Sequence, residues 1–397
     1  MIILIIATLV LIANWILEYR RHSRKVAAIP IRIHVNGTRG KSSVTRLIAA
    51  GLRSGNVKTI AKITGTLPRV VLADGREAAI IRLQGANIIE QKYIFRYAAD
   101  EKPDAIVIEC MAVNPIFQWI TERKFVKSTI SVITNCRPDH LDLMGSTVQS
   151  VTMSLSNTIP NNGVCYTAET HQFGILKKVA DQRNCRIHKI VPTDVTDDEM
   201  SKFSYIEHKD NVQLALAVCA EAGVPREIAL KGMQKASPDP GALKKYIIPD
   251  RGKDIHFYNV FAANDPESTV YIYNLITKNL VDAETVVILN SRADRLFRSQ
   301  QLIDALEQVD YDYLLLTGDI VDKVEAYAHS KGISKDKVFA MGMPLPEEVY
   351  KKVWELAKTE AHVLGIGNIA GEVKYGAQIV AHFKHKQEKL NKGAGRG

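Results

Sequence analysis

What most constrains this chain is a repeated exchange between two apolar patterns. Short runs at residues 29–35, 105–110, 128–135, 164–167, 285–290, 313–317, 338–341 and 362–366 are β-rich, several of them nearly continuous apolar stretches. Strands buried on both faces of a parallel sheet read this way. Between them, residues 41–53, 87–99, 210–222 and 299–306 carry apolar side chains at helical spacing. Such alternation predicts an α/β fold with parallel sheets. A chain of 397 residues is too long for one small core, so two or three domains are expected. Ser237-Pro238-Asp239-Pro240-Gly241, followed closely by Pro249-Asp250-Arg251-Gly252, punctuates the pattern and predicts a linker. The division expected is a central domain at 26–236, a linker at 237–256, a smaller C-terminal α/β domain at 257–384 and a basic, disordered tail at 385–397.

The first 25 residues form a further unit. Residues 1–17 hold no charged side chain, and Asn14 is their one strongly polar residue. That length reaches the lower edge of what spans a bilayer as a helix. A cleavable signal would carry its basic residues before the apolar run. Here Arg20, Arg21, Arg24 and Lys25 come after it, with no Ala-x-Ala cleavage site, so a single-pass anchor is predicted. The positive-inside rule then places everything beyond Arg20 in the cytoplasm.

The net charge of +9 concentrates at the two ends. Arg20, Arg21, Arg24 and Lys25 against Glu18 contribute +3, and Lys384, Lys386, Lys389, Lys392 and Arg396 against Glu388 contribute +4. A nucleic-acid-binding domain carries its basic stripe on a folded face instead. No nucleic-acid partner is expected. Five cysteines, an odd number without a Cys-x-x-Cys pair, indicate neither a disulfide framework nor a zinc ribbon.

The strongest local signal is Asn36-Gly37-Thr38-Arg39-Gly40-Lys41-Ser42-Ser43, between an alternating strand and a helical segment. That is the context a phosphate loop requires. Glycines let backbone N–H groups converge on phosphate oxygens, and a helix N-terminus favours anions. Lys41 is then expected to neutralise the β- and γ-phosphates of a nucleotide, with the Ser42 hydroxyl on Mg²⁺. Val35 replaces the first glycine of the full Walker pattern. Two further strand ends point the same way: Glu109 closes the run 105–110, and Asp139-His140 follow the run 128–135. Ligands of open α/β sheets collect beyond the carboxyl ends of strands. Glu109 suits Mg²⁺ as an oxygen ligand, while His140 is a candidate for a second metal or for phosphate. A buried ion pair for Glu109 and a capping or packing role for His140 are the structural alternatives.

These residues resemble a known family. Gly37-Thr38-Arg39-Gly40-Lys41-Ser42-Ser43 is similar to the Gly-Thr-x-Gly-Lys-Thr loop of the Mur ligases and folylpolyglutamate synthases. Ile133-Thr134-Asn135 with Asp139-His140-Leu141-Asp142 resembles their Thr-Asn…Asp-His-Leu-Asp stretch. Phe261-Ala262-Ala263-Asn264-Asp265-Pro266 stands where that family has Ala-His-Asn-Pro, and Arg292-Ala293-Asp294-Arg295 where it has Gly-Asp-Arg. The anchor, Glu109-Cys110-Met111-Ala112-Val113-Asn114-Pro115, Ser237–Ala242 and Asn290–Arg295 look more particularly like the ligase subunits of poly-γ-glutamate capsule synthases. The departures from the wider ligases are specific. No lysine lies in 153–158, where they carry one that is often carbamylated; Ala242 replaces their domain-boundary arginine; and Leu214 replaces the second asparagine of an adenine-side pair begun by Asn211. Only the anchor and a short basic segment precede the loop, which disfavours a uridine-linked precursor as substrate.

The resemblance implies an ATP-dependent carboxylate–amine ligase that requires Mg²⁺, with Mn²⁺ as the alternative ion. Its fold would be a Mur-ligase-like ATPase domain followed by a smaller α/β domain. Lys41, Glu109 and His140 would carry catalysis, and Ser42, Glu109 and His140 the metal. Gly37–Ser43, Asn135, Asn211, Asn264, Asp265, Arg292, Asp294 and Arg295 would line the nucleotide or substrate, the last three on closure of the second domain. The implied substrates are glutamate and a growing poly-γ-glutamate chain, with other membrane subunits of the synthase as partners. Two competing readings remain: a soluble folylpolyglutamate-type ligase, and a membrane-tethered P-loop ATPase that powers transport or assembly.

Overall fold

The computed structural model describes residues 1–65, 68–82, 85–191, 193–203, 205, 207–236, 244–261, 266–278, 280, 283–369 and 374–394. It divides into two compact units, 1–239 and 240–397.

The first unit begins with helix α1 (Ile2–Ala27), whose apolar side chains up to Leu17 stand exposed. Among the described residues it is the one helix long and apolar enough to cross a membrane. Its basic end is fastened to the body. His22 Nε2 lies 2.9 Å from the Phe125 carbonyl, Lys127 Nζ donates to Ser23 Oγ at 3.0 Å, and Lys92 pairs with Glu18. Val26 is buried there.

Eight strands follow: β1 (Ile31–Asn36), β2 (Thr59–Ile63), β3 (Arg69–Val71), β4 (Glu77–Ala79), β5 (Ala105–Glu109), β6 (Ile130–Ile133), β7 (Val164–Thr167) and β8 (Arg186–Lys189). They form one sheet in the order β4-β3-β2-β5-β1-β6-β7-β8, with every pairing parallel except β2–β3 and β3–β4. β1 is flanked by β5 and β6, so the connections leaving those two strands diverge around its carboxyl end. Helix α2 (Lys41–Ser54) covers the sheet through Val44, Leu47, Ile48 and Leu52, all wholly buried. Each such side chain contributes roughly 1.5–3 kcal/mol of burial. This packing fixes the start of α2 over the end of β1.

The second unit holds β9 (Lys244–Asp250), β10 (Lys253–Asn259), β11 (Glu284–Ser291), β12 (Tyr313–Gly318), β13 (Val338–Gly342) and β14 (Glu360–Gly367) in the order β13-β12-β11-β14-β10-β9. Only β9, at the edge, runs antiparallel among these described strands. Its core joins Phe257, Val363, Tyr350 and Phe383.

Two expected boundaries are corrected. Residues 244–256 are not linker but the hairpin β9–β10. Arg251 and Gly252 both have positive φ (51° and 79°), the backbone that a two-residue hairpin turn needs. Pro249 is tolerated because an edge strand need not donate its N–H. Residues 237–243 of the expected linker lie outside the described residues. The tail is likewise helical as far as Ala394, in the helix Tyr375–Ala394. Ile379 and Phe383 are buried and Leu390 packs on the same core, while Lys384 and Glu388 pair along the helix at 3.6 Å.

Candidate active site

The loop between β1 and α2 is built by close approach. Gly37 has φ 133°, and a Cβ there would lie 2.0 Å from Thr134 Oγ1. Gly40 has φ 80° and starts α2, and a Cβ on it would meet Asn211 Oδ1 at 2.7 Å. Neither position admits a side chain without displacing its neighbour.

The end of β6 locks the loop from beside it. Asn135 Oδ1 accepts from Thr38 Oγ1 at 2.6 Å and from the Arg39 N–H at 3.1 Å, and its Nδ2 donates to the Arg39 carbonyl at 3.2 Å. Thr134 Oγ1 donates to the same carbonyl at 2.5 Å, and the Arg137 N–H donates to Thr38 Oγ1 at 3.0 Å. The loop is therefore preorganised by protein contacts alone. No side chain caps the start of α2, whose first N–H groups face the loop with the positive end of the helix dipole.

The functional side chains follow from this frame. Lys41 Nζ donates to the carbonyls of Gly37 (2.7 Å) and Thr38 (3.1 Å). Burial draws its pKa down, against the pull of Glu109 and Asp139. The Ser42 hydroxyl donates to Glu109 Oε1 at 3.0 Å, and Glu109 Oε2 accepts from the Thr64 N–H at 2.6 Å. Glu109 is only 2 % exposed. A hydroxyl and a carboxylate offering oxygens side by side, next to a phosphate-type loop, fit a hard divalent cation.

Of the other expected residues, Asp139 lies 3.6 Å from Arg39, and the exposed His140 is 3.9 Å from Asp139. His140 has φ 45° at the start of the short helix Leu141–Met144. Asn211, buried, stands against Gly40 and donates to Glu207 Oε1 at 2.8 Å. Ser43 lies in the first turn of α2. Arg292, Asp294 and Arg295 belong to the second unit, directly after β11, where Arg292 pairs with Asp294 at 2.8 Å and Arg295 approaches it at 4.0 Å. Asn264 and Asp265 lie outside the described residues.

Sequence reasoning missed the supporting parts. Thr64 holds Glu109 through its backbone, which no side-chain pattern reveals. Thr134 seats the loop under Gly37, and the signal was its adjacency to Asn135. Asn36, buried at the end of β1, donates to Gln118 Oε1 at 3.0 Å and ties the loop to the helix Pro115–Ile120.

A strand–glycine loop–helix unit at a switch point, with a lysine and a hydroxyl–carboxylate pair, is a nucleotide-binding arrangement, and residues 35–237 match the Mur ligase middle domain. The solved structures with this fold include a Mycobacterium tuberculosis folylpolyglutamate synthase complexed with ADP (TM-score 0.68, 16% identity, 92% of this chain and 94% of that one). A Yersinia pestis bifunctional folylpolyglutamate/dihydrofolate synthase complexed with AMPPNP and Mn is also similar (TM-score 0.65, 14% identity, 92% and 93%). The chain belongs to the Mur ligase class and is an ATP-dependent amide ligase. Residues 245–386 match the poly-gamma-glutamate synthase CapB C-terminal domain. The chain is 36% identical to the PGA synthase CapB of Bacillus subtilis (strain 168) over 97% of its length and 99% of that protein's. It is 34% identical to the capsule biosynthesis protein CapB of Bacillus anthracis, over 92% and 80%. Within the class it is a member of the poly-γ-glutamate synthase CapB family.

Proposed function

We propose that this ligase makes poly-γ-glutamate by activating the γ-carboxylate at the end of a growing glutamate chain with the γ-phosphoryl group of ATP. A carboxylate oxygen attacks the γ-phosphorus and ADP departs. The amine of an incoming glutamate then attacks the acyl phosphate, inorganic phosphate leaves, and the amine loses a proton as the amide forms.

The observation that supports this reading best is the conjunction at the end of β1: an uncapped helix start, Lys41, and Ser42 in hydrogen-bond contact with Glu109. The N–H groups of the loop and of Ser42 and Ser43 hold the phosphates, as helix N-termini do. Lys41 exchanges its carbonyl partners for phosphate oxygens and stabilises charge as the phosphoryl group transfers. Ser42 and Glu109 would hold a divalent cation, Mg²⁺ with Mn²⁺ as substitute, whose charge neutralises the transferring group. His140 stands beside Asp139 as the third candidate for metal or phosphate. Asn211 takes the adenine side of the loop, next to Gly40.

α1 crosses the membrane, and Arg20, Arg21, Arg24 and Lys25 keep the catalytic body on the cytoplasmic face. The polymer is then made beside the membrane subunits that pass it outward. Membranes carrying the protein, given ATP, Mg²⁺ and labelled glutamate, should form polymer, and Lys41→Ala should not. Undiminished polymer from the variant overturns the loop assignment. Removing residues 1–17 should release the protein from membranes with nucleotide binding intact.

A further inference from the structure

The second unit holds a cluster that ATP-dependent ligation does not use. β10 and β14 pair in parallel with His256 opposite His362 and Asp254 opposite Glu360. Glu360 precedes His362 by two residues, so strand pleating puts all three side chains on one face. His362 Nε2 lies 2.7 Å from Glu360 Oε1, and His256 Nδ1 lies 3.2 Å from the same oxygen. The ring centroids of the two histidines are 4.7 Å apart. One ligand atom from each residue falls within 4.8 Å of the others, the one such His/Cys/Asp/Glu group found among the described residues.

We propose that His256, Glu360 and His362 bind a late first-row transition metal ion, Zn²⁺ in particular, as a clip between β10 and β14.

Four features support a built site over a chance meeting. Two imidazoles and one carboxylate are a ligand set that suits Zn²⁺ and leaves a fourth tetrahedral position for water. Hard Mg²⁺ prefers oxygens alone. Donors on one tetrahedral Zn²⁺ stand roughly 3.3 Å apart, and the two nitrogens lie 2.7 and 3.2 Å from Glu360 Oε1, with all three donors within 4.8 Å of one another. His256 Nδ1 is buried and, though 3.2 Å from Glu360 Oε1, makes no hydrogen bond of good geometry. His362 already has the outer partner that ligating histidines use: its Nδ1 is 3.0 Å from the Tyr258 hydroxyl, leaving Nε2 to point at Glu360.

The surroundings favour neutral, ligating imidazoles. Burial, then Lys245 and His362, holds His256 below the ordinary histidine range, with Glu360 and Asp254 pulling the other way. Burial holds His362 down against the hydrogen bond and charge of Glu360, and Lys245 adds to the depression. Lys245 sits opposite Tyr258 on β9, its ammonium 5.4 Å from the phenol ring centroid. Glu360, at 40 % exposure, opens the cluster to solvent and gives the ion its entry. The five cysteines, the usual rivals for zinc, are all buried.

The test uses the full-length chain in detergent, free of nucleotide, dialysed against buffered Zn²⁺ and, separately, Co²⁺. Wild type should bind one equivalent of Zn²⁺ and give the visible absorption of four-coordinate Co²⁺. His256→Gln and Glu360→Gln, both at partly exposed positions, should lose stoichiometric binding with unchanged circular dichroism. Tyr258→Phe should weaken binding by roughly tenfold, the usual effect of removing an outer-shell partner. Glu109→Gln should bind as wild type does, which separates this ion from any at the phosphate loop. Wild type retaining no more metal than His256→Gln, or losing it with Glu109→Gln, overturns the proposal.

Discussion

Two lysines of the first unit show how a shared residue type serves opposite ends. Lys62, on β2, is wholly enclosed, its ammonium 3.1 Å from Glu90 Oε2 and 3.2 Å from Gln91 Oε1. Lys41, at the start of α2, is half-buried and donates to two backbone carbonyls. Burial lowers both ammonium pKa values. The difference lies in the partners. A carboxylate in contact neutralises Lys62, so its charge is spent on architecture. Carbonyls are neutral dipoles, so Lys41 keeps a full charge to offer an incoming anion, and the loop gives it a weaker grip to leave. Exposure and partner together, rather than lysine itself, distinguish the two.

The largest expected break in that contrast is Lys41→Ala. Loss of the charge at the transferring phosphoryl group should lower glutamate-dependent ADP release by roughly 10³-fold. Its thermal midpoint should stay close to wild type, because Thr134, Asn135 and the Arg137 N–H hold the loop without it. A large fall in melting temperature would place Lys41 with Lys62. Glu109→Gln comes next. The amide oxygen can still accept one hydrogen bond, yet the anionic ligand for the cation is gone. Activity should fall by about 10²-fold, and the divalent-ion concentration for half-maximal rate should rise. An unchanged metal dependence would refute the assignment of Glu109.

A third buried cation sharpens the comparison through pH. His34 lies on β1, wholly buried, its Nδ1 2.8 Å from Glu122 Oε2. Burial opposes its charge, but the neighbouring Cys110 and Glu122 overrule it and push its pKa up to about 9. The folded value stands above the unfolded value near 6.5, so the stabilisation is complete below about pH 6.5 and lost as pH rises through about 9. It should amount to roughly 3 kcal/mol. Urea unfolding at both ends of that window measures it, and His34→Gln should flatten the slope. Stability that instead stays flat with pH across this range would show that His34 is neutral in the fold.

The strand–glycine loop–helix unit was legible because strand alternation, glycines and helical spacing are all local. The apposition of Ser42 and Glu109 was foreseen for a topological reason: parallel strands deliver their carboxyl ends to one edge. What stayed hidden depends on contacts that spacing does not encode. β2 escaped notice because Lys62 interrupts its apolar run, and Glu90 and Gln91, from a helix distant in sequence, make that lysine bearable inside the sheet. β9 and β10 read as linker because Pro249 and Gly252 are breakers in isolation but suit an edge strand and a tight turn. His256 and His362 become neighbours only through strand register, which no single-strand pattern reports.

Lys62→Met tests the architectural half of the contrast and should give the smallest effect. Methionine nearly matches the length of the lysine stem and can occupy the same enclosed path. The carboxylate left behind is not orphaned, since Arg82 holds Glu90 through both oxygens, at 2.7 and 3.0 Å. Breaking a buried pair is severe when it strands a charge, and mild when a second partner remains or an apolar side chain fills the space. The net cost should therefore be about 1–2 kcal/mol, less than an unpaired buried charge would impose. The folded fraction should retain its ligase rate, because Lys62 spends its charge on Glu90. The substitution Arg82→Met made together with Lys62→Met should cost more than the two single changes summed, because only the double variant leaves Glu90 unpaired. Additive costs would mean that the two cations act independently, and a Lys62→Met rate as low as that of Lys41→Ala would erase the distinction between the lysines.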